Sequence, residues 1–158
     1  MEISDSPSLK IIGDLTIIFW VYPTNISKGR QNPIGKAFGG EFDLTMEPEN
    51  SLSYYHGSSG GNDFPYMGCG GTVNMFSNNN WIFVGITRKN DSQRISFYIN
   101  GIPVYSGCGS WVNPSISTRR VGIGYEYADY FQGFIDEVRL YNRALSDAEI
   151  QVIYNATK

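Results

Sequence analysis

Glu41, Asp43 and Glu47 lie in the stretch EFDLTMEPEN, on one parity of an alternation whose other side is Phe42, Leu44 and Met46. Carboxylates sharing a strand face are the raw material of glycoside hydrolysis, in which a retaining enzyme needs two carboxyls about 5–5.5 Å apart. The simpler reading is the solvated acidic face of a half-buried strand. A second carboxylate, Asp136 in GFIDEVRLYN, shares parity with Phe134, Val138 and Leu140 and is therefore expected on an apolar face. A bare carboxylate there is costly. It calls for backbone N–H donors, an arginine, or a cation such as Ca²⁺, which takes carboxylate and carbonyl oxygens.

Aromatic residues form the other candidate set. Tyr55, Trp111, Tyr127 and Tyr130 stand among Gly, Asn, Asp and Ser, where rings can stack on the C–H face of a sugar and polar neighbours can orient it. The alternative for each is packing over strand ends. His56 is the only histidine; with no serine or cysteine neighbour suggesting a triad, it reads as a loop or strand-end residue. The glycines of GIGYEY precede no helix and so read as β geometry, not a nucleotide fingerprint. Cys69 and Cys108, each between glycines, lack the spacing of a zinc site. They are a candidate disulfide, with proximity left open. The sequons at Asn25, Asn90 and Asn155 matter only in a eukaryotic secretory pathway.

These side chains need a scaffold of short strands. At 158 residues the chain suits a single domain. Eighteen glycines and an aromatic content of 15% point to a turn-rich β protein. DLTIIFWVYP has apolar residues on both parities and reads as a strand covered on both faces. In RISFYINGIPVY, Asn100-Gly101 separates two apolar runs and predicts a type I′ hairpin. About nine or ten such strands at this spacing make a sandwich. Only the end is helical: Ser146 and Glu149 form a capping box, Leu145 and Ile150 a hydrophobic staple, and Ile150, Ile153 and Tyr154 an apolar stripe over about two turns. The net charge of −3 gives no footprint for nucleic acid or an anionic membrane. The longest apolar run is far short of a membrane span. No basic segment followed by an apolar one appears after Met1, so secretion would need a signal outside these residues.

Four segments, SDSPSLKIIGDLTIIFWVYP, WIFVGITRKNDSQRISFYINGIPV, VGIGYEY and FQGFIDEVRLYNRALSDAEIQVIYN, resemble the laminin G-like, concanavalin A-like jelly-roll family, in order and over most of the chain. The last is the most specific, with its glycine, aspartate, Arg-x-Tyr, Arg-Ala-Leu-Ser and helix at family spacing. The resemblance implies one all-β domain over residues 1–158: a two-sheet antiparallel sandwich, concave on one face, with one short C-terminal helix. The family has no single function; together with the aromatics above, the favoured expectation is a non-catalytic recognition module, secreted or at the cell surface, that binds carbohydrate through Trp111, Tyr127, Tyr130 and Tyr55. A structural or adhesive domain binding a cell-surface protein is the second expectation. Third is a hydrolase using Glu41, Asp43 and Glu47, after related β-glucanases whose acidic spacing differs from this one. Relatives also hold structural calcium with an aspartate near the place of Asp136. They have an early strand that this chain nearly lacks and that commonly pairs beside the late one. An unpaired Phe134–Tyr141 edge would then invite a homodimer.

Overall fold

The computed structural model describes residues 1–71, 74–108 and 110–158. Twelve strands form two sheets. The larger sheet runs β1 (Glu2–Ile3), β10 (Val121–Ile123), β3 (Gln31–Ala37), β4 (Phe42–Met46), β5 (Leu52–Gly57), β6 (Tyr66–Gly70), with β11 (Asp129–Tyr130) parallel to β3. The smaller runs β12 (Gly133–Tyr141), β2 (Leu15–Pro23), β7 (Ile82–Lys89), β8 (Arg94–Ile99), β9 (Ile102–Ser106). All its pairings are antiparallel.

Alternation along each strand builds the core between the sheets. Phe42, Leu44 and Met46 of β4 face Ile17, Phe19 and Val21 of β2, with Val84, Ile86 and Phe97 beside them. The opposite parity of β2 and β7 is buried by a second layer, in which Ile18 and Phe83 meet Leu145 and Ile150. That layer is helix α1 (Asp147–Thr157), which at 11 residues is about three turns, longer than the sequence pattern implied. The Ser146–Glu149 capping box is formed. Thr16 fixes the entry: its hydroxyl donates to the Arg143 carbonyl (2.7 Å) and accepts the Leu145 N–H (2.8 Å). β2 is thus covered on both faces, as its composition predicts.

Asn100 and Gly101 turn β8 into β9 with φ of 50° and 78°. A Cβ on Gly101 would also stand 3.0 Å from the Tyr154 ring, so glycine there serves both the turn and the approach of α1. Between the sheets, Arg88 is fully buried and donates to the carbonyls of Ile11 (2.7 Å), Gly13 (2.9 Å) and Glu41 (2.6 Å) and to the Tyr54 hydroxyl (2.9 Å). One buried cation thereby satisfies the carbonyls of the irregular segment entering β2. Cys69 of β6 is joined to Cys108, which follows β9, in a disulfide with Cα atoms 5.5 Å apart. It ties the far edges of the two sheets. Gly109, read from the sequence as flanking Cys108, lies outside the described residues.

The two ends of the chain depart from expectation. β1 pairs with β10 of the larger sheet, not with β12. β12 is an edge strand whose described partner is β2 alone. Its simple alternation is also interrupted. Glu137, at φ 51°, forms a bulge, and the register with β2 shifts between Asp136 and Arg139. Ile135, Val138 and Leu140 therefore all turn to the core, while Phe134 and Asp136 face out and are exposed. The extra residue breaks the shared parity expected for Asp136, Val138 and Leu140.

Candidate functional site

One row of register partners crosses the outer face of the larger sheet: Gly122 of β10, Gly35 of β3, Asp43 of β4, Tyr55 of β5 and Gly68 of β6. The glycines make room for the two side chains between them. A Cβ on Gly35 would lie 1.7 Å from Asp43 Oδ1, and one on Gly68 would lie 2.6 Å from the Tyr55 ring. Asp43 and Tyr55 thus lie down on glycine backbone instead of standing off the sheet. Above them opens a cavity of about 170 Å³. It is lined by Asp43 and Thr45, by Arg30 and Tyr55, and by Phe38, Tyr66 and Tyr127.

Phe38, Tyr66 and Tyr127 are an aromatic cluster. Phe38 meets Tyr127 edge-on at 4.5 Å and Tyr66 at 4.9 Å between ring centroids. Tyr127 remains 55% exposed, so much of its ring is free for a ligand. Arg30 and Tyr55 are polar and braced. Arg30 grips Glu47 through Nε (2.9 Å) and Nη2 (3.0 Å), lies over the Tyr55 ring (5.3 Å), and donates to its hydroxyl. The Tyr55 and Thr45 hydroxyls also donate to Glu47. Burial raises the Glu47 carboxyl, but the Arg30 and Thr45 bonds outweigh it and hold Glu47 below its ordinary range.

Asp43 has the opposite balance. It is buried and accepts two bonds from the Asn32 amide (3.0 and 3.1 Å). Burial is the largest influence and lifts its pKa well above 3.8; the Asn32 bonds pull back, and the Glu126 charge pushes further up. Glu126 is paired with Arg119 (2.8 Å) and Arg120 (3.3 Å). Asn32 also accepts the Ala128 N–H, and Lys28 binds Asp129 (3.0 Å), so the loop carrying Tyr127 is pinned to β3. The cavity offers aromatic faces, an arginine edge and a buried carboxyl.

The aromatics singled out in the sequence separate here. Tyr55 and Tyr127 line the cavity, although Tyr55 comes from a strand and not a loop. Tyr130 stacks on Tyr125 at 4.3 Å, outside it. Trp111 is partly buried against the core, edge-on to His56 at 4.6 Å. His56 itself is an interior residue of β5. Its Nε2 donates to the Val112 carbonyl (2.7 Å), and burial, helped by the Arg88 charge, lowers its pKa to about 3. It is a neutral packing residue.

The three acidic residues of EFDLTME do not share one face. Glu41 turns inward, where Lys36 (2.7 Å) and the Ser117 amide (2.9 Å) and hydroxyl (2.7 Å) hold it. The register of β3 against β4 shifts between Gly35 and Ala37, leaving Lys36 as the extra residue that meets Glu41. The surroundings of Asp136 do not fit calcium, which takes six to eight oxygens. Asp136 is exposed, its Oδ1 accepts the Glu137 N–H (2.8 Å), and Glu137 is paired with Arg139. Among the described residues no group of three or more His, Cys, Asp or Glu is placed to hold a metal. Arg30, Phe38, Glu126 and the glycine row were missed from sequence; only the register brings them together.

Two packed sheets with a cavity on one outer face define a β-sandwich of the jelly-roll class. A laminin G model of the Concanavalin A-like lectin/glucanases superfamily matches residues 1–151, and the chain belongs to that family. It is 24% identical over 156 residues to the Danio rerio Adhesion G-protein coupled receptor V1, spanning 92% of this chain but 2% of the receptor. Among solved structures, the CBM40 of the Ruminococcus gnavus IT-sialidase superposes with a TM-score of 0.75 at 14% identity, covering 98% of this chain and 92% of that one. The binding domain of Paraclostridial Mosquitocidal Protein 1 gives 0.73 at 17%, covering 98% and 40%. Botulinum neurotoxin type C, whose cell entry depends upon interaction with two ganglioside molecules, gives 0.70 at 12%, covering 98% and 39%. These likenesses establish the fold. Among the described residues no helix is long and apolar enough to cross a membrane.

Proposed function

We propose that this chain is a non-catalytic extracellular recognition module that binds a glycan in the cavity on the outer face of the larger sheet. The supporting observation is the cavity itself: exposed Tyr127, half-buried Tyr55, Arg30 and Asp43 line one opening. A sugar ring can stack on Tyr127 while its hydroxyls meet the guanidinium and the carboxyl. Sandwich neighbours that include a sialidase CBM40 and a ganglioside-dependent toxin support the ligand class. The disulfide suits an oxidising, extracytoplasmic setting.

A glycan array followed by calorimetry tests the reading, with a reducing-sugar assay on the same preparation. The expected result is weak, saturable binding without sugar release, lowered about 2- to 10-fold by Tyr127→Ala. Binding to a cell-surface protein without any glycan response would favour the adhesive alternative, and sugar release the hydrolase. Self-association is a separate part of the proposal: the free edge of β12 would add a second copy strand to strand. A monomer by light scattering after size exclusion would remove it.

A further inference from the structure

The outer face of the smaller sheet carries a second aromatic arrangement, remote from the cavity above and independent of the glycan reading. Phe134 and Tyr22 are register partners, as are Asp136 and Trp20. Because Val21 pairs with Ile82, Trp81 continues the Phe134–Tyr22 row onto β7. The rings are inclined, not coplanar: Tyr22 meets Trp81 at 5.5 Å and 56°, and Phe134 at 5.8 Å and 59°. Phe134 is 63% and Trp81 47% exposed. Helix α1 stops beside them and holds Trp20 in place: its indole N–H donates to the Thr157 hydroxyl (3.0 Å), and Tyr154 lies 5.8 Å from its ring.

A cavity of about 310 Å³ opens between Trp20 and Trp81, bordered by Asp136, Glu137, Thr157 and Lys158. Two features indicate the charge of its occupant. Asp136 points out beside the indoles, swung there by the bulge, and is in no ion pair among the described residues, whereas Glu137 is neutralised by Arg139. Lys158 also borders the cavity, its Nζ 5.4 Å from the centroid of the Tyr154 ring, which packs beside Trp20. Two electron-rich indoles lining one cavity with an adjacent unpaired carboxylate complement a cation, which gains from each ring face it meets.

We infer that this cavity binds an organic ammonium group, quaternary or alkylated, between Trp20 and Trp81, with Asp136 as counter-charge and Lys158 as an internal stand-in that competes for the same space. The alkyl groups meet the indoles and the charge meets Asp136, a combination that neither a neutral sugar nor an apolar side chain can satisfy.

The test is an NMR titration of the full chain with choline chloride, following the indole N–H signals of Trp20 and Trp81. Sodium chloride at equal ionic strength and 3,3-dimethylbutanol, the neutral isostere, are the controls. Saturable shifts are expected with choline alone. Trp81→Ala should weaken binding roughly 2- to 30-fold, Asp136→Asn should weaken it, and Lys158→Gln should strengthen it. Asp136 is exposed, so its variant keeps the fold even if Trp81→Ala does not. Equal binding of the neutral isostere, an unaffected Asp136→Asn, or no saturable shift would overturn the proposal. A failed glycan screen would leave it untouched, because the two cavities lie on opposite sheets.

Discussion

The two outer faces of the sandwich solve opposite problems. On the larger sheet, glycines recess the surface so that a carboxylate lies buried and a tyrosine half-buried: Asp43 is 1% exposed although it faces outward. On the smaller sheet, large rings stand up from the strands, and those that α1 does not cover stay in solvent. The first face is polar and pre-ordered by hydrogen bonds; the second is aromatic and ordered by packing. A β-sheet therefore becomes a site either by removing side chains from a row or by crowding one with rings. The first route demands exact register, since each glycine must sit opposite the group it admits.

Perturbations of decreasing size separate the two faces. Replacing Cys69 and Cys108 together by alanine cuts the tie between the sheets, 39 residues apart in sequence. In the chain-entropy model that costs about 4 kcal/mol, and guanidinium unfolding should show both faces losing stability together; loss confined to one face would mean that they fold separately. Gly35→Ala strikes the larger sheet alone. Its β-carbon would take the place of Asp43 Oδ1, so destabilisation of roughly 1–3 kcal/mol is expected, with glycan affinity lost and the indole N–H signals of Trp20 and Trp81 unmoved. Ser146→Ala strikes the other side by removing the cap of α1, at about 1 kcal/mol, and should disturb those indoles while sparing Tyr127.

The pH responses differ in sign. Asp43 has a raised folded pKa, so its contribution is fully present below 3.8 and is lost as pH rises through the folded value. Asp43→Asn should accordingly gain on the wild type as pH rises and lose that advantage in acid. Glu149 is depressed to about 2, chiefly by Arg143 and then by the Ser146 amide. Its contribution is present above 4.5 and disappears as pH falls toward 2. Thermal melts of Asp43→Asn and Glu149→Gln between pH 2 and 7, as an expected working range, should diverge from the wild type in these opposite directions.

Local chemistry made much of the fold legible. The Asn100-Gly101 hairpin, the Ser146 capping box and the doubly covered β2 each follow from a few adjacent residues. The sites were legible only in pieces. Tyr55 and Tyr127 could be picked out by type, but Arg30 and Asp43 reach them through pairings between strands that sequence does not display. Trp111 has the polar neighbours of a loop aromatic and is nonetheless drawn inward against His56. The bulge at Glu137 had no local sign, because a glutamate at positive φ is uncommon and only the need to bury Ile135, Val138 and Leu140 together imposes it.

The row from Gly122 to Gly68 joins strands from distant parts of the chain, and β10, which supplies Gly122, is late in sequence while its partner β3 is early. Such non-local pairings form slowly and only after long loops have closed. Half the sheet cannot hold half the cavity, because Asp43 has its place only when β3, β4 and β5 are in final register. A ligand for this cavity would therefore bind only chains whose larger sheet has reached its final register.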